Sequence, residues 1–252
     1  MRYALSAAIK NSELFVLYQP QVSVGERRIV AVEALVRWER VAGELVPPAD
    51  FVAFAEQNEL IDPLGSFVLE RACRDALAWP GLRVAVNVSQ KQFAIPDLAE
   101  FICSVARDCG LKLTDLEVEV TETADFPDRA AAIDQLKILQ MRGVTVSLDD
   151  LGSGNATKEL MAALPLNRVK IGRPLVAACQ TSEGAARLRD LIAAARARGL
   201  GVTAEGIETK AECEFLRELG CDLMQGFFFS KPLRAEEVSG FAERSAMKWR
   251  AA

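Results

Sequence analysis

The sequence predicts an α/β fold, a (β/α)8 TIM-like barrel in which one strand runs antiparallel to the rest. Three observations predict it. Short β-rich runs alternate with amphipathic helical patterns along the whole 252 residues, which is the size and rhythm of such a barrel. Glycines follow several of the helical patterns, where a left-handed residue ends a helix. The first two β-rich runs are joined only by the turn-like Val24-Gly25-Glu26 and look like a hairpin, so one of them opposes the other strands.

The elements follow in order. Residues 1–14 suit a helical lead-in of the kind that leaves an upstream domain, with Leu5–Leu14 as its core. Phe15–Val24 and Ile29–Trp38 read as strands. A helical region over about 49–79 carries Phe51, Phe54 and Ala55, then Phe67, Leu69, Cys73 and Leu77. Strand 82–88 precedes helix 97–109, whose apolar residues at 98, 101, 102 and 105 share one face. Strand 116–121, helix 129–142 stopped by Gly143, strand 144–149, helix 157–163 and strand 168–171 come next. Helix 185–198 stopped by Gly199, strand 200–205, helix 210–219 stopped by Gly220, strand 223–229 and a helix after Pro232 complete the chain. No linker or change of composition interrupts it, so 1–252 reads as one domain. An open doubly wound sheet is the alternative, but it calls for a Gly-rich phosphate turn after the first strand, and none is present.

Half of the residues are hydrophobic, enough to bury a large core, and the net charge is −5. An acidic chain argues against binding polymeric nucleic acid. There is no apolar leader at the N-terminus and no apolar stretch of membrane-spanning length, which predicts a cytoplasmic chain. Cys73, Cys103, Cys109, Cys179, Cys213 and Cys221 show no C-x-x-C spacing and read as reduced structural thiols. The chain has no histidine. Ser-His-Asp hydrolysis is thereby excluded and a zinc site disfavoured. Acid–base or metal chemistry falls to Asp, Glu, Lys, Asn or Gln, and such hard oxygen ligands suit Mg²⁺ or Mn²⁺.

Most of the apolar strands carry a polar residue within them or at the C-terminal end: Glu33, Asn87, Glu119, Asp149 with Asp150, Lys170, Glu205 and Gln225. In a barrel those ends converge on one mouth, where active sites sit. Carboxylates gathered there are costly without cations, and a divalent metal resolves the repulsion. Each residue alone has a plainer reading. Glu33 could face outward, Asp149-Asp150-Leu-Gly-Ser-Gly could be a turn, and Lys170 could reach the surface. Their recurrence at strand after strand is what points to a site.

At these residues the chain resembles the EAL domain family along nearly its whole length. The signature tripeptide stands as Glu33-Ala34-Leu35 within Val-Glu-Ala-Leu-Val-Arg-Trp, preceded by Tyr18-Gln19-Pro20 and followed by Pro48-x-x-Phe51 and Ala55-Glu56. Asn87-Val-Ser, Glu119-Val-Thr-Glu122, Asp149-Asp150, Lys170-Ile171, Ala204-Glu205-Gly-Ile-Glu208, Gln225-Gly226-Phe and Ser230-Lys231-Pro232 complete the set.

The resemblance implies a barrel that binds cyclic di-GMP (c-di-GMP) and hydrolyses one phosphodiester to the linear dinucleotide pGpG with two Mg²⁺ or Mn²⁺ ions. It implies that Glu33, Asn87, Glu119 and Asp149 hold one ion, and that Asp149, Asp150 and Glu205 hold the second, with Asp149 bridging. Such pairs lie about 3.5–4 Å apart and acidify the attacking water. Lys170 would orient that water or stabilise charge, Glu205 is the candidate base, and Asp150 completes the catalytic set. Gln19, Leu35, Arg37 and Gln225 would contact the dinucleotide, Arg37 through its phosphate, while Glu122 and Glu208 support the loops. The resemblance leaves room for a homodimer and for an upstream sensory or GGDEF-type domain. A module that binds c-di-GMP and barely hydrolyses it is the alternative.

Two segments depart from the family. Where the family has Asp-Asp-Phe-Gly-Thr-Gly-Tyr-Ser-Ser, this chain has Asp149-Asp150-Leu151-Gly152-Ser153-Gly154-Asn155-Ala156-Thr157, which alters the 151–157 loop. Where the family has Lys-Ile-Asp-Arg-Ser-Phe, this chain has Lys170-Ile171-Gly172-Arg173-Pro174-Leu175. Strand alternation would put residue 172 on the same side as Lys170. The missing Asp is therefore expected to leave Lys170 less well oriented, and Gly172→Asp is expected to raise turnover.

Overall fold

The computed structural model describes residues 1–11, 13–40, 43–121, 126–152 and 157–250. Glu122 and positions 153–156 of the altered loop lie outside them. The elements are α1 (Arg2–Lys10), β1 (Leu14–Ser23), β2 (Arg28–Arg40), β3 (Glu44–Val46), α2 (Pro48–Gln57), α3 (Ile61–Ala76), β4 (Arg83–Asn87), α4 (Leu98–Cys109) and β5 (Leu116–Thr121). They continue with α5 (Arg129–Met141), β6 (Thr145–Leu151), α6 (Thr157–Ala163), β7 (Arg168–Ile171), α7 (Arg173–Ala177), α8 (Ser182–Arg196), β8 (Gly201–Ala204), α9 (Lys210–Glu218), β9 (Leu223–Met224) and α10 (Ala235–Arg250).

The strands close into a ring, β1-β9-β8-β7-β6-β5-β4-β2 and back to β1, and β3 extends β2 outside it. β1 is antiparallel to both its neighbours, whereas β2–β4 and every later ring pair are parallel. The predicted barrel with one reversed strand is thus present, and the reversed strand is the first.

Local chemistry ends the helices where the sequence indicated. Asp128 caps α5 by accepting from the Ala130 and Ala131 N–H groups, and Thr209 with Glu212 forms a capping box on α9. Gly110 closes α4 at φ 87°, a left-handed angle glycine adopts without a Cβ penalty. Four elements differ from expectation. The single helical region 49–79 breaks into α2 and α3, with Glu59 left-handed at φ 60° between them. α7 and the short β3 were not indicated. The strand expected at 223–229 stops at Met224, and at Gly226 the chain passes so close to Ile207 that a Cβ would lie 2.1 Å from the Ile207 carbonyl oxygen. The chain turns there instead, and the Phe229 and Ser230 N–H groups donate back to the Gly226 carbonyl.

The main core lies outside the ring. Val32, Val118, Leu148, Val169 and Val202 face the surrounding helices and belong to one large apolar cluster. Their strand neighbours Glu33, Glu117, Glu119, Ser147, Asp149, Lys170 and Thr203 are buried as well but polar, so alternation with period two sends them into the lumen. A second apolar cluster joins Leu5 and Ala8 of α1 to Trp38, Phe51, Ile61 and Leu64. Among the described residues no helix is long and apolar enough to cross a membrane.

Candidate active site

Lys170 stands at the centre of the lumen with no solvent exposure. Its Nζ lies 2.6 Å from Glu119 Oε2, 2.6 Å from Glu205 Oε1, 3.2 Å from Asp149 Oδ1 and 3.3 Å from Glu33 Oε2. Four carboxylates from β2, β5, β6 and the end of β8 therefore converge on one ammonium. Glu33 is fixed further by two amides: Asn87 Nδ2 donates to its Oε1 at 3.0 Å and Gln225 Nε2 to its Oε2 at 2.7 Å. Gln225 also donates to Gln19 Oε1 at 3.1 Å, and Gln19 Nε2 donates to the Ser230 carbonyl.

One step down the strands a second polar layer carries this arrangement. Arg83 Nε donates to Glu117 Oε2 at 2.7 Å, the Ser147 hydroxyl donates to Glu117 Oε1, and Arg168 Nη1 donates to Thr203 Oγ1 at 3.4 Å. Glu117, Ser147 and Arg168 each lie two residues before a residue of the upper layer. With Arg168 Nε also 3.9 Å from Glu117 Oε1, this layer ties β4–β7 in the register that brings Glu119, Asp149 and Lys170 together.

Charge does not balance in the upper layer. Burial pushes the Glu119 carboxyl well above its ordinary range, with Glu33 and Asp149 adding to the rise against Lys170. Burial raises Asp149 and Glu205 too, assisted by neighbouring carboxylates. Burial would also raise Glu33, but the Lys170 ammonium and the bonds from Gln225 and Asn87 outweigh it and hold that carboxyl low. Burial disfavours the Lys170 charge, and the surrounding carboxylates, Asp149 first, reverse this and lift its proton affinity well above the usual value. Glu119 Oε1 is buried and accepts no hydrogen bond. Oxygens of Glu33, Glu119 and Asp149 lie within 4.8 Å of one another. An orphaned carboxylate oxygen among hard donors with surplus negative charge is what a divalent cation fits.

A cavity of about 340 Å³ opens beside Leu35, Arg37, Val52, Glu56, Asn87 and Ser89, and Asn87 connects it to Glu33 of the cluster. Arg37 is half-buried there and makes no ion pair among the described residues, its Nη1 donating to the Val36 carbonyl. Glu208 lies away from the cluster and pairs with Arg173 at 2.5 Å.

Asp150 is not among the groups on Lys170. It is exposed, left-handed at φ 57°, and directed to Gly172. The expectation for residue 172 needs correction here. Gly172 lies past the end of β7, where it precedes α7 at φ −66°, an angle open to any residue. A Cβ there would meet Asp150 Oδ1 at 2.8 Å, so an aspartate at 172 would displace the Asp150 carboxylate. Lys170 is oriented by four carboxylates without it, and the expected gain in turnover through Lys170 is withdrawn.

Ser89 and Gln92 were not assigned any role from the sequence, yet they shape the loop after Asn87. The S-x-x-Q capping-box pattern was the signal available.

The profile of the EAL domain family matches residues 2–232. An uncharacterised signalling protein of Caulobacter vibrioides is 37% identical over 93% of this chain and 29% of its own length. The cyclic di-GMP phosphodiesterase NbdA of Pseudomonas aeruginosa is 36% identical over 96% of this chain and 32% of its own length. The chain thus spans about a third of the length of such relatives. Among solved structures, the phosphodiesterase MucR of Pseudomonas aeruginosa in complex with c-di-GMP superposes with a TM-score of 0.88 at 34% identity, covering 94% of this chain and 98% of that one. An EAL domain protein of Listeria monocytogenes follows at 0.85 and 26%, covering 97% of this chain and 98% of that one. With its signature residues lining one polar lumen and its whole barrel matched, this chain belongs to the EAL domain family.

Proposed function

We propose that this chain hydrolyses c-di-GMP to linear pGpG, using Mg²⁺ or Mn²⁺, as the phosphodiesterase part of a cytoplasmic bacterial signalling protein. The observation that carries this reading is the buried group Glu33, Glu119, Asp149 and Glu205 around Lys170, joined through Asn87 to an open cavity that Asn87 also lines. Glu33, Asn87, Glu119 and Asp149 would hold one cation, and Asp149, Asp150 and Glu205 a second. Bound there, the ions supply charge stabilisation at the phosphoryl group and an acidified water. Lys170 holds its proton and offers it as a fixed positive charge to the phosphoryl oxygens, while Glu205 accepts a proton from the attacking water. Gln19, Leu35, Arg37 and Gln225 hold the dinucleotide, Arg37 by its phosphate, and Glu122 and Glu208 brace the loops. An upstream sensory or GGDEF-type domain and a homodimer are the partners this reading favours.

One incubation tests it. The purified chain with Mg²⁺ and c-di-GMP should give pGpG as the first product by chromatography, and EDTA should stop the reaction. Direct release of GMP as the main product would overturn the proposed chemistry. A second reading, a receptor that binds but barely turns over, is favoured by one observation: Asp150 lies apart from the cluster, against Gly172. Saturable binding without product in the same incubation would select it.

Cation uptake should also release protons. Glu119, Asp149 and Glu205 hold protons above the ordinary carboxylate range, and a cation takes only the ionised form. Mg²⁺ or Mn²⁺ affinity should therefore rise with pH until those groups ionise. Titration calorimetry in buffers of different ionisation enthalpy should register the released protons, and a pH-independent affinity from 5.5 to 8 would contradict this.

A further inference from the structure

α3 contains a glycine, Gly65, five residues into a sixteen-residue helix. A glycine there weakens a helix relative to alanine, and its backbone is not left-handed. The reason for it lies across the interface. A Cβ at position 65 would lie 2.5 Å from Gln92 Nε2, 3.0 Å from Gln92 Oε1 and 3.1 Å from Gln92 Cδ. The missing methyl is the seat of a flat amide.

That amide borders the cavity beside α3, and what keeps it on Gly65 is its bond to the turn. Gln92 is only 6% exposed, and its Oε1 accepts from the Ser89 N–H at 3.1 Å. The Ser89 hydroxyl oxygen completes the capping box by accepting from the Gln92 N–H, accepts from the Lys91 N–H as well, and the hydroxyl donates to Glu56 Oε1 at 2.7 Å. The turn after β4 is thus fastened to α3 through Gln92 and to α2 through Glu56. Asn87 stands two residues before Ser89, at the exposed end of β4. Among the described residues its one side-chain bond runs to Glu33. Its backbone pairs with Glu119 and the Val88 N–H donates to the Glu119 carbonyl at 2.9 Å, so the turn that follows is the side from which its aim can loosen.

We infer that Gln92, seated on Gly65, is a positioning residue that aims Asn87 into the carboxylate cluster. This rests on the proposed reading that Asn87 ligates a cation. The residues act in series: Gly65 leaves the space, Gln92 fills it and fixes Ser89, and Ser89 fixes the strand end. A helix-interior Gly→Ala change that would ordinarily help the helix should here displace Gln92 and loosen Asn87.

The test is titration of Mn²⁺ alone into the metal-free chain, with circular dichroism confirming the fold. Gly65→Ala and Gln92→Ala should each weaken Mn²⁺ binding by about ten-fold, the lower end of what loss of a ligand's supporting partner costs. The double variant should bind no more weakly than Gln92→Ala, because the added methyl then enters space the amide has left. If Gly65→Ala alone does not fold, Gln92→Ala and the double variant carry the same comparison. Folded single variants that bind Mn²⁺ within two-fold of the parent would overturn the inference, as would losses that multiply in the double. A parent chain that binds no Mn²⁺ would remove both the metal reading and this one. Variants that bind like a Mn²⁺-binding parent would remove this one alone.

Discussion

Lys170→Met should cost the metal-free protein about 3–5 kcal/mol, the usual penalty for breaking a buried ion pair by removing one partner. The volume is nearly conserved, so the loss is electrostatic. Four carboxylates lie within 3.3 Å of the ammonium, and none of them keeps its cation once it is gone. Against a total stability of about 5–15 kcal/mol, that is a large share. Urea denaturation in EDTA should show it as a lowered midpoint with little change in slope. Adding Mg²⁺ should return part of the stability, since a cation neutralises the same oxygens. It should not return turnover, which is expected to stay down by about 10²–10³-fold because a fixed charge at the reacting phosphate is lost. Undiminished stability in EDTA would mean that the ammonium is not what holds the carboxylates together.

Glu119→Gln should act in the opposite direction. Glu119 is raised well above the ordinary carboxylate range by burial. A carboxyl raised on folding contributes most stability below its unfolded pKa and loses it as pH climbs through the folded value. At neutral pH its charge therefore weighs against the fold. Glutamine is neutral at every pH and can still accept the bond Lys170 Nζ makes to Glu119 Oε2 at 2.6 Å. In EDTA at pH 7 the variant should melt above the parent, by about 2–4 °C for each kcal/mol relieved in a chain of this size. With Mg²⁺ the order should reverse, because only the parent keeps the full ligand set, and turnover should fall on the order of 10²-fold. A variant that melts below the parent in EDTA would show that the charge is compensated within the lumen. Stability sacrificed for a binding function is a familiar pattern at active sites.

The contrast between these variants explains how much of the site was legible in advance. A carboxylate or lysine inside an otherwise apolar strand is expensive to bury, so Glu33, Glu119, Asp149 and Lys170 stood out from Val, Leu and Ile neighbours. The alternation of elements was equally plain, since glycines such as Gly143, Gly199 and Gly220 take left-handed angles after their helices. What remained hidden depends on contacts between distant segments. Phe227-Phe-Phe229 reads as strand by composition, but in the fold the chain turns beside Ile207, with the Phe228 N–H donating to the Ile207 carbonyl and those of Phe229 and Ser230 to the Gly226 carbonyl. Gly172 looks like a neighbour of Lys170 if β7 is extended by one step, but the strand ends at Ile171 and the position faces Asp150. Gly65 reads as a flaw in a helix until Gln92 is seen against it.

The ring seam between β1 and β9 rests on two register pairs, Val22 with Met224 and Ser23 with Leu223, reinforced by the Tyr18–Leu233 bridge. The hairpin of β1 and β2 is local, and its short loop closes at low entropic cost. Its far edge waits for a strand some two hundred residues later. Gln225, which donates to both Glu33 and Gln19, arrives with that strand. Until that strand is made, β1 stays unpaired on one side. A chain cut short before residue 223 would therefore expose a bare sheet edge and lack one of the amides that fix Glu33, so the reactive centre is complete only when the ring has closed.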